Sequence, residues 1–306
     1  MRARAVRKIV LVALLAAGGA ARAQQDLGHK VLGSLGLDAG ELKPTGLYAV
    51  DAVGAYRADE LIDRNGRRVP IALNATAFVN VFGVAGTYDI PRLHTSIGAA
   101  VTAPVARVAL STDDVRASFD DFGFGDLYVQ PIALGWRPGR HEVVAAYAFY
   151  APTGHLTPGG LDGVGNGHWT HEFSAGGTLY FDRARRWKLS ALASYELNER
   201  KIDVDVKRGD TIQIQGGAGV RLARILDVGL AGYALWQVTD DTGSALPPIL
   251  AGARDVDYGL GPELNVTVPQ LRCKLVARYT HDVYVRSRPS GSLFVIALDI
   301  SAWSAH

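Results

Sequence analysis

Cysteine and methionine are almost missing from this 306-residue chain, which has one of each. The lone Cys273 excludes a framework of intramolecular disulfides. No apolar stretch approaches the roughly 20 residues that a transmembrane helix needs, although 48% of the residues are hydrophobic. The formal charge is only +2, and there is no basic patch with interleaved aromatics, so we expect no nucleic-acid partner. The apolar residues must therefore alternate with polar ones.

The first 23 residues have the pattern of a secretory signal peptide. A basic start precedes the apolar stretch 9–17, and the small residues Ala21 and Ala23 mark a cleavage site before Gln24. We expect residues 1–23 to be removed after export.

From residue 46 onward, the sequence divides into turn-bounded segments with a two-residue hydrophobic period. We predict about twelve antiparallel strands near 46–56, 72–89, 92–103, 123–137, 140–150, 168–181, 187–197, 210–222, 225–238, 255–268, 272–284 and 291–300. Short turns alternate with mostly long polar loops, at 57–71, 104–122, 151–167, 198–209, 239–254 and 285–290. A soluble β-sandwich has no reason to keep this alternation, whereas an outer-membrane β-barrel joins its strands by short periplasmic turns and long external loops.

Each predicted strand has two chemically different faces. In 210–222, Gln213 and Gln215 alternate with Ile212 and Ile214, as expected where one face meets water and the other lipid. All five tryptophans lie near predicted strand ends, where a spanning barrel carries two aromatic girdles: Trp136, Trp169, Trp187, Trp236 and Trp303. These features predict an all-β, transmembrane antiparallel barrel of the outer-membrane type over residues 46–306.

Several motifs in the last 190 residues resemble those of the MetA-pathway phenol-degradation outer-membrane family. In chain order these are FGFGDLYVQP at 122–131, LGW at 134–136, YAPTG at 150–154, WTHE at 169–172, ALASYE at 191–196, GD at 209–210 and GYALWQVTDDTG at 232–243. The resemblance implies a transporter barrel for small apolar, often aromatic, compounds.

Charged residues on the water-facing parity are the candidates for function, because a charge at the lipid midplane is costly. They are Asp51, Glu172, Glu196, Arg221, Asp257, Glu263, Lys274, Arg278, Asp282 and Asp299. One hypothesis is a permeation path whose acids and bases set selectivity. The other is an interior closed by acid–base pairs, since buried charges must be paired whatever the function.

Two loop features remain open at the level of sequence. The glycine-rich loop 151–167 is predicted either to fold inward as a gate or to be solvated. Paired aspartates such as Asp113-Asp114 and Asp240-Asp241 offer weak calcium ligands but lack the twelve-residue ligand pattern, which favours solvated charge.

Metal and hydrolase chemistry are both disfavoured by strand alternation. It places His168 and His171 on opposite faces, which disfavours a shared metal, and it separates Ser174 from His171 in the same way. We therefore expect no metal site, no catalytic serine and no enzyme activity.

Residues 24–45 carry leucines at a helical-looking spacing that breaks at Gly36 and Gly40. They form either a short periplasmic lead or a small plug that enters the lumen. The sequence thus predicts a passive outer-membrane channel of a Gram-negative bacterium for small apolar or aromatic molecules. The expected partners are the lipid bilayer, a small-molecule solute and the outer-membrane assembly machinery, with no cofactor and no oligomeric state implied. The alternatives are a structural or adhesive barrel and, less favoured, a membrane hydrolase.

Overall fold

Thirteen β-strands form one closed sheet in the computed structural model, which describes residues 27–112, 117–155, 163–246 and 252–304. They are β1 Gly46–Leu61, β2 Leu73–Ile90, β3 Thr95–Thr112, β4 Ala117–Phe124, β5 Leu127–Trp136, β6 His141–Ala151, β7 Thr170–Tyr180, β8 Trp187–Asn198, β9 Thr211–Ala223, β10 Leu226–Gln237, β11 Val256–Val268, β12 Cys273–Arg286 and β13 Pro289–Ser304. Two single-turn 3-10 helices, Pro91–Leu93 and Pro269–Leu271, lie between strands. No helix in these ranges is long and apolar enough to cross a membrane.

The barrel closes because β1 pairs with both β2 and β13, and every neighbouring pair is antiparallel. β4 and β5 pair with successive parts of β3. Together they therefore occupy one of the twelve strand positions around the barrel. The predicted twelve-strand barrel is confirmed. Connections at one end, which we call the turn end, are short, as at 224–225. The opposite end, which we call the loop end, carries longer segments such as 199–210.

The predicted loop 104–122 is wrong in most of its length. β3 continues to Thr112 and forms a hairpin with β4, pairing Val105 with Phe124 and Thr112 with Ala117. Pro104 lies within β3 although proline has no N–H to donate. In the barrel, Pro104 lies where the partner of β3 changes from β5 to β4, and its carbonyl accepts a hydrogen bond from the Gly125 N–H at 2.9 Å. The backbone N–H that Pro104 lacks would therefore lie where the hydrogen-bonded partner of β3 changes.

The two faces of the strands differ as the alternation requires. In β9 the side chain of Ile214 is on the outer face and 41% exposed, while Gln215 faces the lumen and is 1% exposed. The outer face elsewhere carries exposed apolar side chains such as Phe82, Leu230 and Leu260. The buried side chains of the inner face are largely polar, so this barrel is apolar outside and polar inside.

Candidate functional site in the barrel lumen

Residues 27–45 lie inside the barrel and contact inward-facing side chains of β7, β8, β9, β11, β12 and β13. Leu37 in this segment is completely buried. The segment begins at the loop end, where the Leu27 carbonyl accepts a hydrogen bond from Arg288, and reaches the turn end, where the Pro44 carbonyl accepts one from Tyr48. It thus runs along the lumen from the loop end to the turn end.

His29 anchors this segment at the loop end. Its Nε2 lies 2.8 Å from Asp126 Oδ2, its Nδ1 lies 2.9 Å from the Thr170 hydroxyl, and its ring stacks on Tyr150 at 4.8 Å. Asp126 lies in the break between β4 and β5. Its carboxylate also accepts the backbone N–H groups of Gly154 and Asn166 at 2.8 and 2.7 Å. One carboxylate therefore joins the segment, the barrel wall and both ends of loop 151–167.

The centre of the segment rests on an ion pair of the wall. Arg278 Nε donates to Glu263 Oε2 at 2.6 Å, and Arg278 Nη1 donates to the carbonyls of Gly33 and Ser34 at 2.9 and 2.7 Å. Gly36 is required here, because a Cβ on it would overlap the Glu263 carboxylate. The glycine that breaks the helical spacing therefore permits the closest approach of segment and wall.

Toward the turn end the segment is acidic and the wall basic. Asp38 accepts hydrogen bonds from the ammonium groups of Lys188 and Lys274, and Lys188 also donates to Glu41 at 3.1 Å. Burial by itself would raise the pKa of Asp38, but Lys274 and Lys188 outweigh it and hold the pKa below its ordinary value. At the rim the signs are exchanged: the segment supplies the cation, Lys43, and the wall supplies the anion, Asp299, at 2.6 Å.

Nine of the ten charged residues proposed for the lumen lie on its inner face or rim. Six of them are buried on the inner face: Glu172, Glu196, Asp257, Glu263, Arg278 and Asp282. Lys274 and Asp299 contact the segment 27–45, and Arg221 pairs at the turn end with Asp227 at 2.7 Å. The sequence hypotheses of a selective path and of a paired interior therefore concern the same group of residues.

Asp51 is the exception and requires a correction. The even-numbered residues of β1 face the lumen, since the Tyr56 hydroxyl donates to Asp282 at 3.2 Å. Asp51 has the opposite parity and is exposed on the outer face, where the Asn80 amide donates to it at 2.6 Å. The assignment failed because it took charge alone as the sign of a lumen residue.

Several wall charges escaped the sequence analysis, among them Lys188, Asp126, Arg208 and Arg288. Lys188 is buried on the inner face of β8 and was detectable, since it shares the parity of Ser190 and Glu196. The others lie outside the strands, where no alternation identifies a face. Arg288 lies 3.3 Å from Asp257, and Arg208 lies 3.3 Å from Asp255.

The five tryptophans lie at or next to strand ends. Trp187 and Trp303 lie at the turn end and are each 54% exposed, and Trp136 ends β5 there. Trp169 and Trp236 lie at the loop end, where Trp236 donates its indole N–H to the Tyr258 hydroxyl at 2.8 Å. Their arrangement in two rings as membrane girdles stays a prediction.

Loop 151–167 and its histidines can be placed in part, because residues 156–162 lie outside the described residues. His168 is buried against His29, whereas His171 hydrogen-bonds to Tyr147 and to Glu199, which is exposed. Ser174 is buried on the inner face. The signal-peptide residues 1–23 and Asp113-Asp114 also lie outside the described ranges.

A closed antiparallel barrel with twelve strand positions, an apolar exterior and a polar lumen defines the class of outer-membrane β-barrel proteins. Residues 58–298 match the family model "Putative MetA-pathway of phenol degradation". The chain belongs to this family.

The COG4313 outer membrane channel from Pseudomonas putida F1 is a solved structure with the same fold. It is 14% identical, with a TM-score of 0.75 over 86% of this chain and 97% of that chain. The β domain of the Bordetella autotransporter BrkA is 12% identical, with a TM-score of 0.49 over 84% of this chain and 99% of that chain. None of the curated proteins matches the chain in sequence.

Proposed function

We propose that the mature protein spans the outer membrane, after export directed by residues 1–23, and acts as a passive channel for small apolar or aromatic compounds. The observation that carries this proposal is a closed ring of strands with a polar inner face and an apolar outer face, in a member of a phenol-degradation family. The solved structure with a TM-score of 0.75 to this chain is that of an outer membrane channel. No catalytic step is part of the proposal.

Residues 27–45 act in this proposal as a plug that closes the resting channel. The segment is held by His29, Lys30, Asp38 and Lys43, each of which has a charged partner on the wall. Removing one partner of a buried ion pair typically costs about 3–5 kcal/mol, since the other charge stays buried. The contacts of His29 with Asp126 and of Lys30 with Glu172 are buried, so spontaneous release of the segment should be rare. Transport therefore requires at least partial displacement of the segment.

The second candidate function is a non-transporting surface barrel, and the filled lumen is the observation that favours it. In that case the ion pairs serve only to close the interior. The two functions differ in whether a displaced segment admits solute.

Reconstitution of the mature chain into liposomes tests both functions. The variant Asp38→Lys places a third cation against Lys188 and Lys274 and should release the turn-end half of the segment. The matched control, Asp203→Lys, makes the same change at an exposed loop residue. We expect aromatic solutes to enter faster through Asp38→Lys than through the wild type or the control, with sugars entering more slowly. A folded Asp38→Lys barrel that passes no aromatic solute contradicts the channel and supports the structural role.

A further inference from the structure

The loop-end half of the lumen contains two neighbouring buried carboxylates, Glu172 and Glu196, and an ammonium group that contacts the first of them. Glu172 and Glu196 lie opposite each other in the register of β7 and β8, and each is 1% exposed. Lys30 enters from the segment 27–45, and its Nζ lies 2.9 Å from Glu172 Oε2 and 2.9 Å from the Ser194 hydroxyl. The wall thus supplies the ligands of an ammonium ion, and the segment supplies the ion.

This pocket has one acceptor more than its occupant uses. Glu196 Oε2 accepts a hydrogen bond from the Thr211 hydroxyl at 2.7 Å, but Glu196 Oε1 accepts none from any residue that the structure describes. An ammonium group has three donors, and Lys30 directs two of them to Glu172 and Ser194. A buried carboxylate oxygen without a donor is costly, so the pocket favours an occupant that reaches both glutamates.

Aromatic rings border the pocket on the side of the loop end. Tyr150 pairs with Thr170, two residues before Glu172 in β7, and its ring lies 5.0 Å from that of Tyr128 and 4.8 Å from that of His29. These rings offer contact to an apolar body attached to an ammonium group, and aromatic faces attract cations. The pocket therefore fits an amphiphilic cation better than a hydrated metal ion.

The charge balance around the pocket favours a cation over an anion. The buried carboxylates of the loop-end half, within the described part of the chain, are Asp126, Glu172, Glu196, Asp210, Asp255, Asp257 and Asp282. The buried wall arginines there are Arg208 and Arg288. A solute that arrives from the loop end therefore meets a predominantly acidic lumen, which concentrates cations.

We propose that the pocket formed by Glu172, Glu196 and Ser194 binds the primary ammonium group of a small organic cation. In the resting protein Lys30 is its internal occupant, and an arriving ammonium group replaces Lys30 and loosens the loop-end half of the segment. This proposal rests on the channel function for its physiological role, but the binding site itself can be tested without transport.

Chemical rescue of Lys30→Ala in the full chain tests the site. The variant leaves Glu172 buried without its cation beside Glu196, so we expect a lower thermal unfolding temperature and a higher ionic conductance. Ethylammonium or benzylammonium should restore both in a saturable manner. Tetramethylammonium, which has no N–H donor, and benzoate should restore neither. In Lys30→Ala/Glu172→Gln the amine concentration needed should rise about tenfold or more, since a charge-assisted hydrogen bond is lost.

Lys43→Ala is the matched control, because Lys43 also pairs with a wall carboxylate but at the solvent-accessible rim. We expect no rescue of this variant by amines. If Lys30→Ala does not fold, Lys30→Met serves instead, since it keeps the apolar stem of the side chain. In the wild type, benzylammonium should raise conductance at concentrations where benzyl alcohol does not.

Rescue by tetramethylammonium, equal rescue in the Glu172→Gln background, or no rescue by any amine would overturn the site. Failure of aromatic flux in the liposome experiment, with amine rescue intact, would instead contradict the channel and leave the ammonium site standing. The two results are therefore distinguishable.

Discussion

The backbone N–H of Leu37 lies 3.2 and 3.1 Å from the two carboxylate oxygens of Glu263, across 226 residues of sequence. The same carboxylate holds Arg278, which in turn holds two carbonyls of the segment 27–45. The backbone of the segment is thus part of the buried polar network of the wall. Any change that separates the two should open the lumen without unfolding the barrel.

Gly36→Ala should displace the segment. The new Cβ would overlap Glu263 Oε2 and lie 2.6 Å from Arg278 Nε, so the segment has to move away from the wall. We expect a higher single-channel conductance and an unchanged heat-dependent shift of the folded barrel on gels. The control is Gly86→Ala, where the nearest atom to a Cβ is 3.9 Å away. Equal conductance of the two variants would show that the segment does not close the channel.

Ile214→Arg and Gln215→Arg should fail in different ways. The guanidinium group that Ile214→Arg introduces would meet lipid, at a cost of about 2–4 kcal/mol near mid-depth, and should reduce the yield of assembled barrel. Gln215 faces the lumen and accepts a hydrogen bond from the Leu35 N–H at 3.1 Å, so Gln215→Arg should leave assembly intact and disturb the segment. Yield measured by gel shift and conductance measured in bilayers separate the two effects. A larger loss of assembly for Gln215→Arg is incompatible with the register of β9.

The closed state should weaken in acid through Asp38. Its pKa is lowered in the folded protein, so the stabilisation it provides is complete above its unfolded value of about 4 and is lost as the pH falls through the folded pKa. We expect conductance to rise below about pH 4, as Asp38 releases Lys188 and Lys274. Asp38→Asn should be more conductive at neutral pH and lack this component. Identical pH profiles for wild type and Asp38→Asn would refute the role of Asp38.

Asp51→Leu should be tolerated, in contrast to Asp282→Leu. Asp51 is exposed on the outer face, so an apolar replacement should change the free energy of unfolding by no more than about 0.5 kcal/mol. Asp282 accepts hydrogen bonds from Tyr56, Tyr233 and the Gly291 N–H. Its loss leaves buried donors unpaired, at about 1–3 kcal/mol each. Thermal unfolding in detergent compares the two, and a greater loss for Asp51→Leu would contradict the face assignment.

The failures of sequence analysis have a common origin. Alternation within a strand places Glu172, Glu263 and Arg278 on the inner face, because successive side chains point to opposite sides. It does not say which face of β1 carries Asp51 when the neighbouring residues are small and apolar on both parities. The loop 104–122 was predicted wrongly because the exchange of β5 for β4 beside β3 is a property of the whole sheet.

The two-residue period of a strand and the residues that favour a turn are local properties. The order of amino acids was therefore sufficient to specify the twelve strand positions, their order along the chain and most of their boundaries. The same alternation placed most of the charged residues of the lumen on the inner face. The position of residues 27–45, and the charges that they meet, became known only from the closed barrel. Lys30 meets Glu172 and Asp38 meets Lys188 because barrel closure brings together residues more than 140 positions apart, and no local pattern specifies such pairs.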